Sequence, residues 1–264
     1  MTSPILVTGG TGLLGRLVVE RLGDAGRDVR VLSRSSHASR DHVEFVIGDI
    51  STGDGLRDAL AEVEVVVHCA GSSKGDEIKT GHLLRATAAN AAQGTQVRHL
   101  VYISVVGAER MPVVSAIDRG MFGYYASKRA SEQLIEESGI PYSILRATQF
   151  QESMLAVMNA MVKSPVMPAA SGTRFQPIAV AEVAARLVEL ALGEPAGIVP
   201  EMGGPRTYLM ADLTREYLRA THRRRLIMSV RTPGGASRAL RAGANVTPDH
   251  AVGRRTWEEL LAGQ

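Results

Sequence analysis

Residues 5–18 read ILVTGGTGLLGRLV: an apolar run, then Gly9, Gly12 and Gly15 at three-residue spacing, then an apolar stretch at helical spacing. This turn constrains the fold more than any other feature of the chain. Gly9 takes backbone angles closed to other residues. Gly12 lets a pyrophosphate approach the backbone, and Gly15 lets the helix pack tightly on the strand. The helix beginning near Gly12 offers free N–H groups and the positive end of its dipole to phosphate. A glycine-rich turn by itself also serves as a plain tight turn. Here it follows the first strand, opens a helix and lies in a βαβ unit, the context of a dinucleotide site. Gly9, Thr11, Gly12, Leu13, Leu14 and Gly15 are the first candidate cofactor contacts.

Beyond the turn the chain alternates. Apolar strand-like runs stand at 5–7, 29–32, 43–47, 63–67, 99–103 and 142–145, with helical stretches at 13–25, 56–61, 78–93 and 124–138. The run 63–67 is valine apart from Glu64, the pattern of a strand buried on both faces. Strands alternating with helices imply parallel strands joined by right-handed crossovers, a doubly wound α/β sheet. Its ligand belongs at the carboxyl ends of the strands. After Phe150 the texture turns rich in Met, Pro and Gly, with helix-like segments at 180–192 and 212–220 and a further strand at 198–199.

Composition excludes several classes. A net charge of +3 over 264 residues argues for neither nucleic acid nor an anionic membrane. The run Arg223-Arg224-Arg225 reads as a solvated cluster beside an element end. Cys69 is the single cysteine, so no internal disulfide forms and a reducing compartment is expected. The start Met1-Thr2-Ser3-Pro4 carries no positive leader. No apolar run reaches membrane-spanning length. The seven histidines show no metal spacing. A soluble cytoplasmic protein without metal, nucleic acid or membrane partner is expected.

The end of the second strand decides which dinucleotide. An acid there would bind the adenosine ribose hydroxyls and repel a 2′-phosphate, but this chain has Ser33-Arg34. A planar guanidinium suits a phosphate, so NADP(H) is expected. Asp49 and Ile50 end the third strand, where the carboxylate faces either the adenine amine or merely its own turn. Ala70 and Gly71, after the fourth strand, pass along the cofactor ribose.

Together "TGGTGLLG", "LSR", "GDI", "YISVVGAE", "YYASKRASEQL" and "GIPYSILRATQF" resemble the NmrA-like, atypical branch of the short-chain dehydrogenase/reductase superfamily. "RFQPIAVAEVAARL" and the C-terminal "GANVTPDHAVGRRTWEELL" resemble the same branch. The resemblance implies a Rossmann core that binds NADP(H), residues 1–150, and a small substrate-side lobe interleaved with it, residues 151–264. It implies catalytic roles for Ser104, Tyr124 and Lys128: the Tyr donates a proton, the Lys lowers its pKa and holds the nicotinamide ribose, and the Ser hydrogen-bonds the carbonyl. Tyr124 and Lys128 share one helical face by spacing, and Tyr125 is an adjacent competitor. The superfamily's relay Asn has no match, Asp76 being the nearest aligned residue. Gln149, Phe150, Met154 and Met158 are substrate candidates, although Met154, Met158 and Met161 equally form a core stripe. The implied activity is NADPH-dependent reduction of a ketone, quinone or enone of a mostly apolar molecule. The alternatives are a non-catalytic NADP(H) sensor that binds a protein partner and a nucleotide-sugar epimerase or dehydratase, for which no basic pocket motif is seen.

Overall fold

The computed structural model describes residues 3–39, 41–72 and 75–263. Met1 and Thr2, which open the start read for a leader, lie outside them. In chain order the elements are β1 (Ile5–Thr8), α1 (Leu13–Asp24), β2 (Val29–Ser33), β3 (Val43–Ile47), α2 (Leu56–Ala59), β4 (Val65–His68), α3 (Asp76–Ala91), β5 (His99–Val105), α4 (Ala116–Glu137) and β6 (Tyr142–Ala147). They continue as α5 (Gln151–Met161), β7 (Val166–Ala170), β8 (Arg174–Phe175), α6 (Val180–Leu192), β9 (Gly197–Ile198), β10 (Tyr208–Leu209), α7 (Met210–Ala220), β11 (Leu226–Val230), α8 (Gly235–Arg241) and α9 (Trp257–Ala262).

Seven strands form one sheet in the order β3-β2-β1-β4-β5-β6-β9. Ile5 stands opposite Val29 on one side and Val65 on the other, both pairings parallel. The chain lays β1 to β3 outward in one direction, then returns past β1 to lay β4 onward in the other. The order therefore reverses between β1 and β4, and loops leaving the carboxyl ends of these two strands diverge there, the usual ligand position of a doubly wound sheet. The expected fold class is the one observed.

The chain forms two compact units. The first comprises the described residues up to Ser104, with Ser127–Leu145 and Val183–Val199; the second comprises Val105–Ala126, Arg146–Glu182 and the described residues from Pro200. The first unit holds the sheet. Its core draws Leu6, Leu32, Leu56, Leu83, Leu100 and Ile144 from strands and helices alike. Each such side chain contributes about 1.5–3 kcal/mol by leaving water. Helix α1 buries Leu14, Val18, Val19 and Leu22 on one face, as its spacing requires.

The second unit contains the parallel pair β7–β11 and the antiparallel pair β8–β10. Its core gathers Leu155, Met158, Leu213, Tyr217, Trp257 and Leu260. Thr256 and Glu259 cap α9 reciprocally, which fixes the helix that carries Trp257. The methionine stripe faces this core. Met158 is fully buried in it, as the core stripe, the alternative to a substrate wall, requires. Met154 and Met161 pack at the core's margin, half-buried.

Helix α4 begins at Ala116, two turns before the expected start at residue 124. Ser115 and Asp118 account for the difference. The Ser115 hydroxyl donates to Asp118 Oδ2 at 2.7 Å and accepts from the Asp118 N–H at 3.0 Å, a side-chain cap that starts the helix despite Gly120 and Gly123.

Candidate active site

The glycine turn is built as its sequence requires. Gly9 has φ +72°, and a Cβ there would lie 2.7 Å from the Ala70 nitrogen. A Cβ on Gly15 would lie 2.1 Å from the Gly9 carbonyl oxygen, so the helix can sit this close to the strand end only with glycine. Gly12 is the N-cap of α1, and no side chain caps the helix. The first helical bond is Arg16 N–H to Gly12 O at 3.1 Å, so the Leu13, Leu14 and Gly15 amides precede it without a helical acceptor. No acid stands in the first turn. A bare positive helix end behind a backbone cradle fits a cofactor pyrophosphate. Thr11 and Leu13 are exposed beside it, whereas the Leu14 side chain is buried in the core, so only its backbone can meet a cofactor.

Arg34 is exposed just past β2, and the buried Ser33 accepts the Ser35 N–H at 3.3 Å. Asp49 serves its own turn: Oδ1 accepts the Ser51 N–H at 2.8 Å. Ile50 packs in the core with Leu32 and Leu56, leaving its main chain as the part that can face a ligand. Ala70 and Gly71 leave β4 beside Gly9, at the reversal point of the sheet.

A buried polar cluster lies near that crossing. The Lys128 ammonium donates to the Ile103 carbonyl at 3.0 Å and lies 3.2 Å from Asp76 Oδ2. It also stands 4.8 Å from the centre of the Tyr102 ring. Ser104, one residue after Ile103, is 3% exposed, and its hydroxyl has no hydrogen-bond partner among the described residues. His68 lies between Thr8 and Thr80, Nδ1 at 2.7 Å from one hydroxyl and Nε2 at 3.2 Å from the other. Burial, with Lys128 adding to it, lowers its pKa to about 3, so the ring is neutral. His68 is the core residue expected of it. Burial likewise raises the Tyr102 phenol, against the opposing charge of Lys128. Asp76 is the functional candidate that sequence reasoning passed over, noting only its alignment. Standing at the start of α3, it reads as an ordinary acid in a helix's first turn, and its partner lies far along the chain.

Tyr124 stands on the part of α4 in the second unit, Lys128 on the part in the first, four residues apart. Tyr124 is partly exposed. Tyr125 instead packs against the Met111, Ala236 and Leu240 cluster. Burial pushes its phenol up to about 12, opposed by a hydrogen bond with Gln149. Gln149 and Phe150 are half-buried before α5, and Phe150 is its N-cap residue without a side-chain cap. Among the described residues no group of three His, Cys, Asp or Glu side chains could hold a metal ion, and no helix is long and apolar enough to cross a membrane.

The sequence model of a family described as NAD(P)H-binding matches residues 9–191. A ceramide reductase of Caulobacter vibrioides is 31% identical over 208 residues, covering 74% of this chain and 63% of that protein. A (4-alkanoyl-5-oxo-2,5-dihydrofuran-3-yl)methyl phosphate reductase of Streptomyces griseus is 34% identical over 155 residues, covering 58% and 50%. The chain thus spans half to two thirds of the length of these two relatives. In fold it is similar to an NADPH-dependent quinone oxidoreductase of Escherichia coli solved with NADPH, with a TM-score of 0.78, 19% identity, and 98% and 99% of the two chains covered.

Proposed function

The chain belongs to the NAD(P)H-binding family, and from that premise we propose that it is an NADPH-dependent reductase of a ketone, a quinone or a conjugated enone in a mostly apolar small molecule. One observation carries the reading. The Ser104 hydroxyl is buried without a partner, immediately after the carbonyl that Lys128 holds. Leaving such a group unpaired costs about 1–3 kcal/mol. A substrate carbonyl oxygen that accepts from it would remove that cost. Two of the relatives are named as reductases, which supports the same class. The preference for NADPH rests on Arg34 and on the lack of an acid at the end of β2.

Bound NADPH would supply the hydride. Ser104 hydrogen-bonds the carbonyl oxygen, and Tyr124 delivers the proton to it. Lys128 holds the nicotinamide ribose. The roles of Tyr124 and Lys128 rest on their spacing along α4 and on the resemblance to the short-chain reductases. Gly9, Thr11, Gly12 and the amides of Leu13, Leu14 and Gly15 take the pyrophosphate. Gln149, Phe150 and Met154 are proposed substrate contacts, with residues 151–182 and 200–264 as the substrate-side lobe.

The test begins with cofactor binding, followed by a panel of ketones, quinones and enones assayed by NADPH oxidation. Tyr124→Phe should lower turnover about 10²–10⁴-fold, the usual contribution of a general acid, with the NADPH Kd unchanged. Full activity in that variant would remove Tyr124 from the mechanism. A wild type that binds NADPH, oxidises it with none of the panel and captures a protein in one redox state of the cofactor would be a sensor instead.

A further inference from the structure

Lys128 places a charge where water has little access, its side chain being 4% exposed. A buried ammonium persists only when paired and hydrogen-bonded; otherwise it gives up its proton. The Asp76 carboxylate, with no exposed surface, stands 3.2 Å away. Its two oxygens have separate surroundings. Oδ1 accepts the Ser72 N–H at 2.8 Å and lies 3.3 Å from the Lys79 ammonium. Among the described residues Oδ2 makes no hydrogen bond and has Lys128 as its ion-pair partner. We propose that Asp76 is a positioning residue of the cofactor site, one that keeps Lys128 charged and aimed without itself touching cofactor or substrate.

The surroundings fit this role. At the end of β4 His68 is neutral, and the thiol of Cys69, the next residue, is pushed up to about 12 by burial, so neither supplies charge. On β5, the Tyr102 phenol is held un-ionised by burial. On α3, Glu77 accepts from the Ser127 hydroxyl, and Lys79 shares Asp76 from its other oxygen. On α4, Tyr124 lies one turn before Lys128, and Glu132, one turn after it, pairs with Arg129 at 3.0 Å. Asp76 is also fastened to α4 through its own N–H, which donates to the Ser127 hydroxyl at 2.9 Å, so its carboxylate is fixed against the helix that carries Lys128. Gly71 runs across the pair: a Cβ there would sit 3.3 Å from Asp76 Oδ2 and 3.5 Å from Lys128 Nζ. Gly71 is exposed at the sheet's reversal point, where the family's cofactor passes. Glycine at this position keeps the approach to the ion pair clear.

Asp76→Asn keeps the size of the side chain and an acceptor for Ser72, and removes the charge. The NADPH Kd, read by nicotinamide fluorescence across pH, is the first measurement. Without the carboxylate the ammonium loses its proton at lower pH, so the alkaline limb of the Kd profile should move down by about one pH unit or more. In steady state kcat should fall about 10²-fold, the effect of misplacing a group by about 1 Å. Lys79→Met, which touches only the other oxygen, should leave the alkaline limb where it is. A folded Asp76→Asn protein with the wild-type Kd profile overturns the proposal. So does a Lys79→Met protein whose limb moves as far as that of Asp76→Asn.

If Asp76→Asn does not fold, Asp76→Asn/Lys128→Met decides. A double variant that recovers stability shows that the orphaned ammonium was the fault and supports the pairing. One that remains unfolded makes Asp76 a support of the Ser72 turn and overturns the proposal. The kcat arm rests on the reductase reading, whereas the Kd arm needs only cofactor binding. A wild type that binds NADPH but turns nothing over would therefore sink that reading and leave this test intact.

Discussion

Two glycine doublets, Gly9-Gly10 in the first unit and Gly203-Gly204 in the second, bring backbone against backbone with no space for a side chain. A Cβ on Gly9 would lie 2.7 Å from the Ala70 nitrogen, and one on Gly204 only 1.7 Å from the Pro177 carbonyl oxygen. The difference lies in the surrounding polar groups. At the second doublet the Gly203 N–H donates to His250 O at 2.9 Å, Gly203 O accepts from the Gly253 N–H at 2.9 Å and the Gly204 N–H donates to Gln176 O at 3.3 Å. The buried Gln176 side chain donates to Gly204 O at 2.9 Å and accepts the Thr247 N–H at 2.8 Å. At the first doublet the turn leads into a helix end with no side-chain cap. Glycine thus marks close backbone approach, but the unmatched amides mark the place for an anion.

The comparison breaks most severely at Gln176. Gln176→Leu leaves Gly204 O and the Thr247 N–H buried and unpaired and should cost about 3 kcal/mol or more. A drop in Tm of about 10 °C is expected. NADPH affinity per folded molecule should not change, and a parallel loss of affinity would mean that the two doublets are not independent. Gly12→Ala sharpens the other side. Its Cβ would stand 3.3 Å from Gly9 O, close but not prohibitive, so Tm should move little. The methyl group would face the phosphates, and NADPH affinity should fall by about tenfold or more, about 1.4 kcal/mol or above. Equal affinities for the variant and the wild type would place the pyrophosphate elsewhere.

A smaller effect belongs to Arg34. Arg34→Ala should narrow the preference for NADPH over NADH by about tenfold, the order expected for one charge-assisted contact at an exposed site. Titration with both cofactors checks it, and an equal loss for each would show that Arg34 does not read the 2′-phosphate. The last test concerns pH. His68 titrates at about 3 when folded, against an ordinary value of 6.5. At neutral pH both states are unprotonated and nothing changes. As the pH falls through 6.5 the unfolded chain takes up a proton that the native ring refuses, so stability declines by at most about 1.4 kcal/mol per pH unit down to about pH 3. His68→Asn should flatten that acid slope in urea titrations at pH 4 to 7, and an unchanged slope would assign it to other groups.

The first βαβ unit was legible because every signal there is local. Strand, glycines and helix follow one another within twenty residues, and period and turn chemistry agree. The strand at 43–47 and the helix at 180–192 were legible for the same reason, one continuous pattern each. The start of α4 was misread because Gly120 and Gly123 speak against a helix, while the Ser115–Asp118 cap that outweighs them was a readable signal. The pairing of β7 with β11 joins Val166 to Leu226 and had no local mark. The Asp76–Lys128 pair was hidden for the same reason. Its acid stands in a helix's first turn and its base on another helix, and only the tertiary fold makes them neighbours.

The strand Gly197–Ile198 closes the edge of the large sheet, yet it follows β7 and β8 of the second unit in the chain. A growing polypeptide therefore cannot finish the first unit until residue 198 has left the ribosome, after the whole of β7 and β8 has been made. Until then the edge of β6 is open, with Ile144 and the Ser143 backbone awaiting their partners. A gene cut at residue 150 would leave that edge permanently uncovered. No single cut separates the two units, because residues 183–199 of the first follow residues 146–182 of the second; a split version must carry residues 183–199 on the same piece as the sheet or supply them in trans.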